Sequence, residues 1–282
     1  MITHEQFEEL LQNGGYISKP NELKKKVLPK GIRSWWRFYI IGTLGTALSG
    51  FITALCGKFT PRTFAKMSFR LIQTVEATGT PVEIYDTDKL KSIMGKPCVF
   101  VCNHMSLVET FHLPCIVSSF CKTTIIAKSS LAKYPIFGRC LKAVKPILLD
   151  RKNPRKDLNE TLSQGTERLK NGLSIILFPQ GARTTVFDPK KFNSLGAKLA
   201  RSAGVPIIPV ACKTDYATCG KVLKDFGPID PSKTVKYAIG PILDPNTLSQ
   251  AELQEACTKF IAGKLSEWGC PCVETKTTPI ER

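Results

Sequence analysis

From residue 80 to residue 242 the chain alternates short, continuous apolar runs with amphipathic stretches, and this alternation constrains its fold more than any other feature. Seven runs have the character of strands: PVEIYD (81–86), PCVFVC (97–102), TTIIAK (123–128), KPILLD (145–150), LSIILF (173–178), VPIIPVA (205–211) and VKYAIGPI (235–242). Continuous apolar runs of this length, without in–out alternation, belong to strands covered on both faces. Helical stretches separate several of them. KDLNETLSQGTERLKNG (156–172) ends at Gly172, a natural cap, and FNSLGAKLARSAG (192–204) behaves similarly. LSQAELQEACTKFIAGKLSEWG (248–269) opens at a Ser N-cap with Glu252 three residues on. The pattern predicts an α/β domain over residues 80–269, its sheet covered by helices, followed by a polar tail, 270–282.

Residues 1–79 have a different texture. They open polar and become basic, with Lys24, Lys25, Lys26, Lys30, Arg33 and Arg37 leading into Trp35 and Trp36. The sequence from Phe38 to Gly57 then carries no charge, bracketed by Arg37 and Lys58. Its start is too late for a signal peptide. Its length just suffices to span a bilayer, while its Gly and Thr content also fits a re-entrant or interfacial helix, or a buried core helix. The neighbouring tryptophans and cations are the anchors expected at a headgroup boundary. After Pro61, apolar Phe64, Met67, Leu71 and Val75 recur at helical spacing opposite Arg62, Lys66 and Arg70, a basic amphipathic helix suited to a lipid surface or to a solvated flank.

Forty Lys and Arg against 23 Asp and Glu give a formal charge of +17, which points to an anionic partner. Much of the excess lies beside the apolar segment, and no nucleic-acid module is visible, so an anionic membrane surface is expected and nucleic acid is not. The eleven cysteines are scattered, odd in number and mostly set in apolar runs, the pattern of reduced, buried thiols rather than a disulfide framework. Cys270 and Cys272 form a lone C-x-C without partners at metal spacing, so no metal site is expected.

Only three histidines are present: His4, His104 and His112. His104 follows an apolar strand directly, where ligands bind in open α/β sheets, and is therefore the candidate base. His112 falls on the following helix as a packed residue. Glu109 lies five residues after His104, roughly 140° away on a continuous helix, so a His–Glu contact requires His104 to occupy the turn before the helix. Ser106 provides such a turn as an N-cap, and Ser106 with Glu109 is equally a capping box. The sequence leaves both roles open for Glu109. LSIILFPQGART brings another strand to a Pro-Gln-Gly turn followed by Arg183, which is either a phosphate grip or a surface turn.

Four blocks occur in order: NHMSLVE (103–109), ILLDR (147–151), FPQGART (178–184) and VPIIPVA (205–211), with AKSSLAKYPIFG between the first two. Together they resemble the 1-acylglycerol-3-phosphate acyltransferase family over residues 80–215. Glu109, Gln180 and Ala182 stand where that family usually has Asp, Glu and Thr. The resemblance implies a mixed sheet flanked by helices, preceded by a membrane-docking helical segment. It also implies transfer of a fatty acyl group from acyl-CoA or acyl carrier protein to the hydroxyl of a lysophospholipid, with no cofactor beyond that co-substrate. His104 and Glu109 would form the catalytic pair. Arg183 and Lys128 would take the acceptor phosphate, and Gly181, Gln180, Asn103 and Ser106 would complete the substrate-contacting set, with Ser106 also supporting the turn. The expected location is the cytoplasmic face of a membrane. The same resemblance admits another lysolipid acceptor, or a non-catalytic lipid-binding protein.

Overall fold

The computed structural model describes residues 2–19 and 32–273. All seven expected strands form: β2 (Val82–Tyr85), β3 (Val99–Cys102), β4 (Thr123–Lys128), β5 (Ile147–Leu149), β6 (Ser174–Leu177), β7 (Ile207–Lys213) and β8 (Val235–Ile239). They join a shorter strand, β1 (Gly15–Ile17), in one sheet of order β1-β2-β8-β7-β3-β6-β4-β5. From β7 to β5 the neighbours are parallel, β8 runs antiparallel to β7, and β1 antiparallel to β2, so the sheet is mixed.

Central β3 shows why its sequence lacks alternation. Val99 and Val101 pack on one face with Ile175, Leu177 and Ile207, whereas Phe100 and Cys102 pack on the other with Ile176, Ile208 and Val210. Successive side chains point to opposite faces, and each face has a helical cover, so every position must be apolar. The first face lies under α7 (Pro154–Lys170), α8 (Leu195–Ala203) and α9 (Gln250–Glu267), through residues such as Leu169, Leu199 and Ile261. α4 (Pro61–Glu76), α5 (Val108–Ser118) and α6 (Phe137–Ala143) lie on the other side, through Ile72, Val75, Leu113, Ile116 and Leu141. The Ser249–Glu252 capping box forms as expected, and α7 is followed by Gly172 at φ +76°, a left-handed position suited to glycine.

The N-terminal region departs from expectation. α1 (His4–Gln12), opened by a Thr3–Gln6 capping box, and β1 fold onto the sheet edge, where Gly15–Ile17 pairs with Glu83–Tyr85. Residues 2–19 are thus part of the α/β body rather than of a separate polar arm, and a boundary at residue 80 cuts across the sheet. The strand is three residues long with one buried side chain, too short to leave a period-two signal. His4, expected in a polar segment, is buried with Phe7 and Leu11.

α2 (Ile32–Trp36) runs through a π-helical turn, Arg37–Leu44, into α3 (Gly45–Leu55). From Ser34 to Leu55 this forms one helix long and apolar enough to cross a membrane. Ile41, Leu44, Leu48, Ile52 and Leu55 are exposed along it. Phe38 and Tyr39 are buried against the body and Gly50 packs on Met67 and Cys140, so one face of the helix is docked along its length while the opposite stripe is exposed. Lys24, Lys25, Lys26 and Lys30, the Arg33 side chain and residues 274–282 of the tail lie outside what is described. Most cysteines are buried, but Cys56 and Cys219 are exposed, contrary to expectation.

Candidate active site

Five parallel strands end on one side of the sheet, and their exits carry the chemistry-bearing residues: His104 after β3, Lys128 at the end of β4, Arg151 after β5, Gln180 to Arg183 after β6, and Thr214 after β7. Binding at the carboxyl edge of such a sheet follows from the topology.

His104 lies on the turn between β3 and α5, the geometry required for it to meet Glu109. Its Nδ1 is 2.7 Å from Glu109 Oε1, with the imidazole 15% exposed and the carboxylate 0% exposed. The same oxygen accepts the backbone N–H groups of Met105 and Ser106 at 2.7 and 2.8 Å. The other oxygen accepts the hydroxyls of Ser106 (2.9 Å) and Thr214 (2.5 Å). Glu109 therefore serves both roles left open by the sequence: it closes the helix-initiating turn and holds the imidazole. Burial drives its pKa up, but the hydrogen bond and charge of His104, with bonds from Thr214 and Ser106, outweigh that and keep the carboxyl below its ordinary range. A carboxylate so held takes the proton on Nδ1, leaving Nε2 as the basic nitrogen.

One further ring contact and two backbone bonds hold His104 in place. Phe178 stacks on it with ring centroids 4.4 Å apart. Gln180 Oε1 accepts the His104 backbone N–H at 2.7 Å, and Thr184 N–H donates to the His104 carbonyl at 2.9 Å. Gly181, at φ +71°, makes the intervening turn possible. Gln180 thus spends its oxygen on the turn that carries the base.

Three cations stand at the strand exits along the same edge. Arg183 is paired with Asp225 Oδ1 at 2.6 Å, so its guanidinium meets a carboxylate in place of an open site. Arg151 donates to the Gly181 carbonyl, and its backbone is left-handed (φ +58°), a conformation a non-glycine residue holds at a cost of about 1–3 kcal/mol and one that clusters at functional sites. Lys128 is exposed two strands from β3, roughly 10 Å sideways from the sheet spacing, and is not brought into contact with Arg183.

Two of the expected substrate contacts are bonded within the scaffold. Asn103 is buried and bridges β3 to β7, donating to the Cys212 carbonyl and accepting its N–H, both at 2.7 Å. The Ser106 hydroxyl is likewise buried, donating to Glu109 and accepting from Val108 N at 3.0 Å. Both are committed to the scaffold. Sequence reasoning gave no role to Phe178, Thr214, Arg151 or Asp225. Arg151 stood at a strand exit and could have been singled out by position; Asp225, 42 residues from Arg183, left no signal.

A buried carboxylate orienting a partly exposed imidazole at the carboxyl edge of a parallel sheet, with arginines on the neighbouring strand exits, is a layout suited to general-base chemistry. The sequence model of the acyltransferase family matches residues 81–213. The chain is 31% identical over 188 residues to the 1-acyl-sn-glycerol-3-phosphate acyltransferase of Pseudomonas aeruginosa, an alignment covering 65% of this chain and 69% of that one. It is 33% identical over 147 residues to the corresponding enzyme of Haemophilus influenzae, covering 49% and 60%. The crystal structure of the 1-acyl-sn-glycerophosphate acyltransferase of Thermotoga maritima shares its fold, with a TM-score of 0.63 at 21% identity over 86% of this chain and 98% of that one. The chain belongs to the 1-acylglycerol-3-phosphate acyltransferase family, and it is an acyltransferase.

Proposed function

We propose that this enzyme transfers a fatty acyl group from acyl-CoA or acyl carrier protein to the free hydroxyl of a lysophosphatidic acid-like acceptor. The observation that carries the reading is the 2.7 Å contact between His104 Nδ1 and the buried Glu109, beside Arg183 at the same sheet edge. Glu109 keeps the proton on Nδ1, and Nε2 takes the acceptor's hydroxyl proton as its oxygen attacks the thioester carbonyl. The tetrahedral intermediate then collapses with rupture of the C–S bond. The departing thiolate recovers the proton from the imidazolium, giving ester and free thiol without an acyl-enzyme. During this cycle Glu109 faces the imidazolium and stabilises its charge. Arg183 takes the acceptor's phosphate in exchange for Asp225, Arg151 braces the turn through the Gly181 carbonyl, and Lys128 contributes to the positive field at the edge.

The acceptor and product are lipids, and the exposed apolar stripe of the helix Ser34–Leu55 supports association with an anionic membrane surface, with the site on the cytoplasmic side where both donors are found. No other cofactor enters the reaction, and nucleic acid plays no part.

Purified enzyme incubated with acceptors of differing head group and both donor classes, with products identified by mass, tests the reading. The expected product is a diacylated phosphate lipid, absent from the His104→Ala enzyme. Equal rates on head-grouped lysolipids would overturn the assignment of acceptor. Transfer no higher than the His104→Ala background would overturn the activity itself.

A further inference from the structure

The segment from Cys219 to Gly227 is a shaped protrusion. Its neck is closed by Thr218 N–H on the Pro228 carbonyl and by the Ala217–Ile229 bridge, and its tip by Gly220 N–H on Lys224 and Phe226 N–H on Leu223. At that tip Val222 is 92% exposed and Leu223 64% exposed, so among the described residues neither side chain is covered, an arrangement unfavourable in water. Lys221 and Lys224 flank them, and the one acidic residue of the loop, Asp225, is already paired with Arg183.

The loop is rooted on the apolar helix. Trp35 Nε1–H donates to the Gly227 carbonyl at 3.0 Å, and the Phe226 ring lies 5.2 Å from Tyr39 and 6.2 Å from Trp35. This seats it level with Trp35, Trp36 and Arg37, where an aromatic and cationic belt precedes the exposed stripe that begins at Ile41. Two apolar side chains are far too small an area for a stable protein interface, but an apolar tip between cations suffices for shallow insertion at an anionic lipid surface.

We infer that residues 219–227 form a second bilayer-contact element, which inserts Val222 and Leu223 among acyl chains while Lys221 and Lys224 meet headgroup phosphates. Rooted on Trp35 and carrying Asp225 beside Arg183, the same loop sets the height of the active site above the membrane. An acceptor with its chain in the bilayer then presents its phosphate at the guanidinium. This consequence rests on the acceptor proposed above; the insertion itself does not.

Full-length protein carrying Leu223→Trp is bound to vesicles of phosphatidylcholine and phosphatidylglycerol, with and without brominated acyl chains. Relative to the unsubstituted protein, the added emission should shift to the blue and be quenched by bromine. An unquenched added signal overturns the insertion, as does a shift that grows with protein concentration without vesicles, the mark of a second copy on the tip. In a second arm, Val222→Asp combined with Leu223→Asp should slow transfer to a vesicle-embedded acceptor by about tenfold, from the loss of apolar burial. Transfer to a short-chain acceptor dispersed as monomers should be unchanged. Equal loss on both acceptors shows that the loop serves the site's own structure and overturns the height-setting role. If the unsubstituted enzyme transfers to neither acceptor, the proposed acceptor fails, and the quenching result still decides insertion.

Discussion

His104 and His112 lie eight residues apart and are both bonded at the ring, yet the structure fits them for opposite tasks. His104 sits on a strand exit, partly open, with a carboxylate behind it. His112 is buried in α5, with Nδ1 3.0 Å from the Tyr237 hydroxyl and a further bond to the Leu71 backbone. Burial drives the His112 pKa down to about 3, against weaker upward contributions from Leu71 and Glu109. A base must tolerate becoming an imidazolium for part of each cycle. Glu109 provides the compensating charge for His104 at contact distance, whereas His112 meets a neutral hydroxyl in a dry interior. The difference teaches that a histidine's chemistry is set by the charge behind it and the opening in front of it.

The sharpest way to break the comparison is to delete each ring. His104→Ala should lower turnover by about 10²–10⁴-fold, the usual worth of a general base, and leave the melting temperature near that of the parent. His112→Ala should do the reverse: it leaves a cavity and an unpaired buried hydroxyl on Tyr237, costing roughly 2–5 kcal/mol of stability while any folded fraction keeps its turnover. Turnover and thermal melts on the two purified variants decide it. An active His104→Ala enzyme removes the mechanism.

Glu109 comes next in size. Glu109→Gln keeps an oxygen for the Met105 and Ser106 amides but lacks the charge that the imidazolium needs. It should lower kcat by about 10²-fold with a smaller effect on KM. Glu109→Asp, charged though a methylene short, should retain more activity than Gln. Equal kcat for the two would mean that the carboxylate serves only the turn.

Acid sharpens the contrast thermodynamically. The unfolded chain binds a proton at His112 near pH 6.5 and the folded chain only near 3, so between these values the unfolded state holds more protons. Stability should therefore fall as pH drops through that window, by up to about 1.4 kcal/mol per unit from this residue. His112→Phe should flatten the slope between pH 6 and 5, measured by denaturant unfolding. The depressed Glu109 contributes in the other range: its stabilisation is present above the ordinary carboxylate pKa and is lost as pH falls through the lower folded value. An unchanged slope in the His112→Phe protein would assign the acid limb to the carboxylates.

The same contrast shows what the sequence could and could not convey. Strands β3, β6 and β7 were legible because burial on both faces forces continuous apolar runs, and His104 because its place after such a run is a topological fact. Glu109 was legible as a residue but not as a role, because capping and orienting use the same spacing, and only coordinates reveal one oxygen doing both. β1 was too short to carry a pattern. Asn103 and Ser106 sat inside a motif, where nothing local distinguishes scaffold from contact. Thr214 and Asp225 reach the site only through tertiary folding, 105 and 42 residues from their partners.

The smallest expected effect concerns Arg183, a cation at the sheet edge that also carries His104. Asp225 holds Arg183 at 2.6 Å with its side chain 45% exposed, so the pair is screened and worth about 0.2–1 kcal/mol. An acceptor phosphate at Arg183 must displace that carboxylate. Asp225→Asn keeps the shape and removes the competitor, so the KM for a phosphorylated acceptor should fall, by at most about fivefold on that energy. The KM for a lysolipid without a free phosphate should stay where it is, because it gains nothing at the guanidinium. A rise in the phosphorylated acceptor's KM would mean instead that Asp225 aims Arg183, and Asp225→Glu would then restore it. Measured side by side on the two acceptors, this separates a carboxylate that stands in for the substrate from one that positions its anchor.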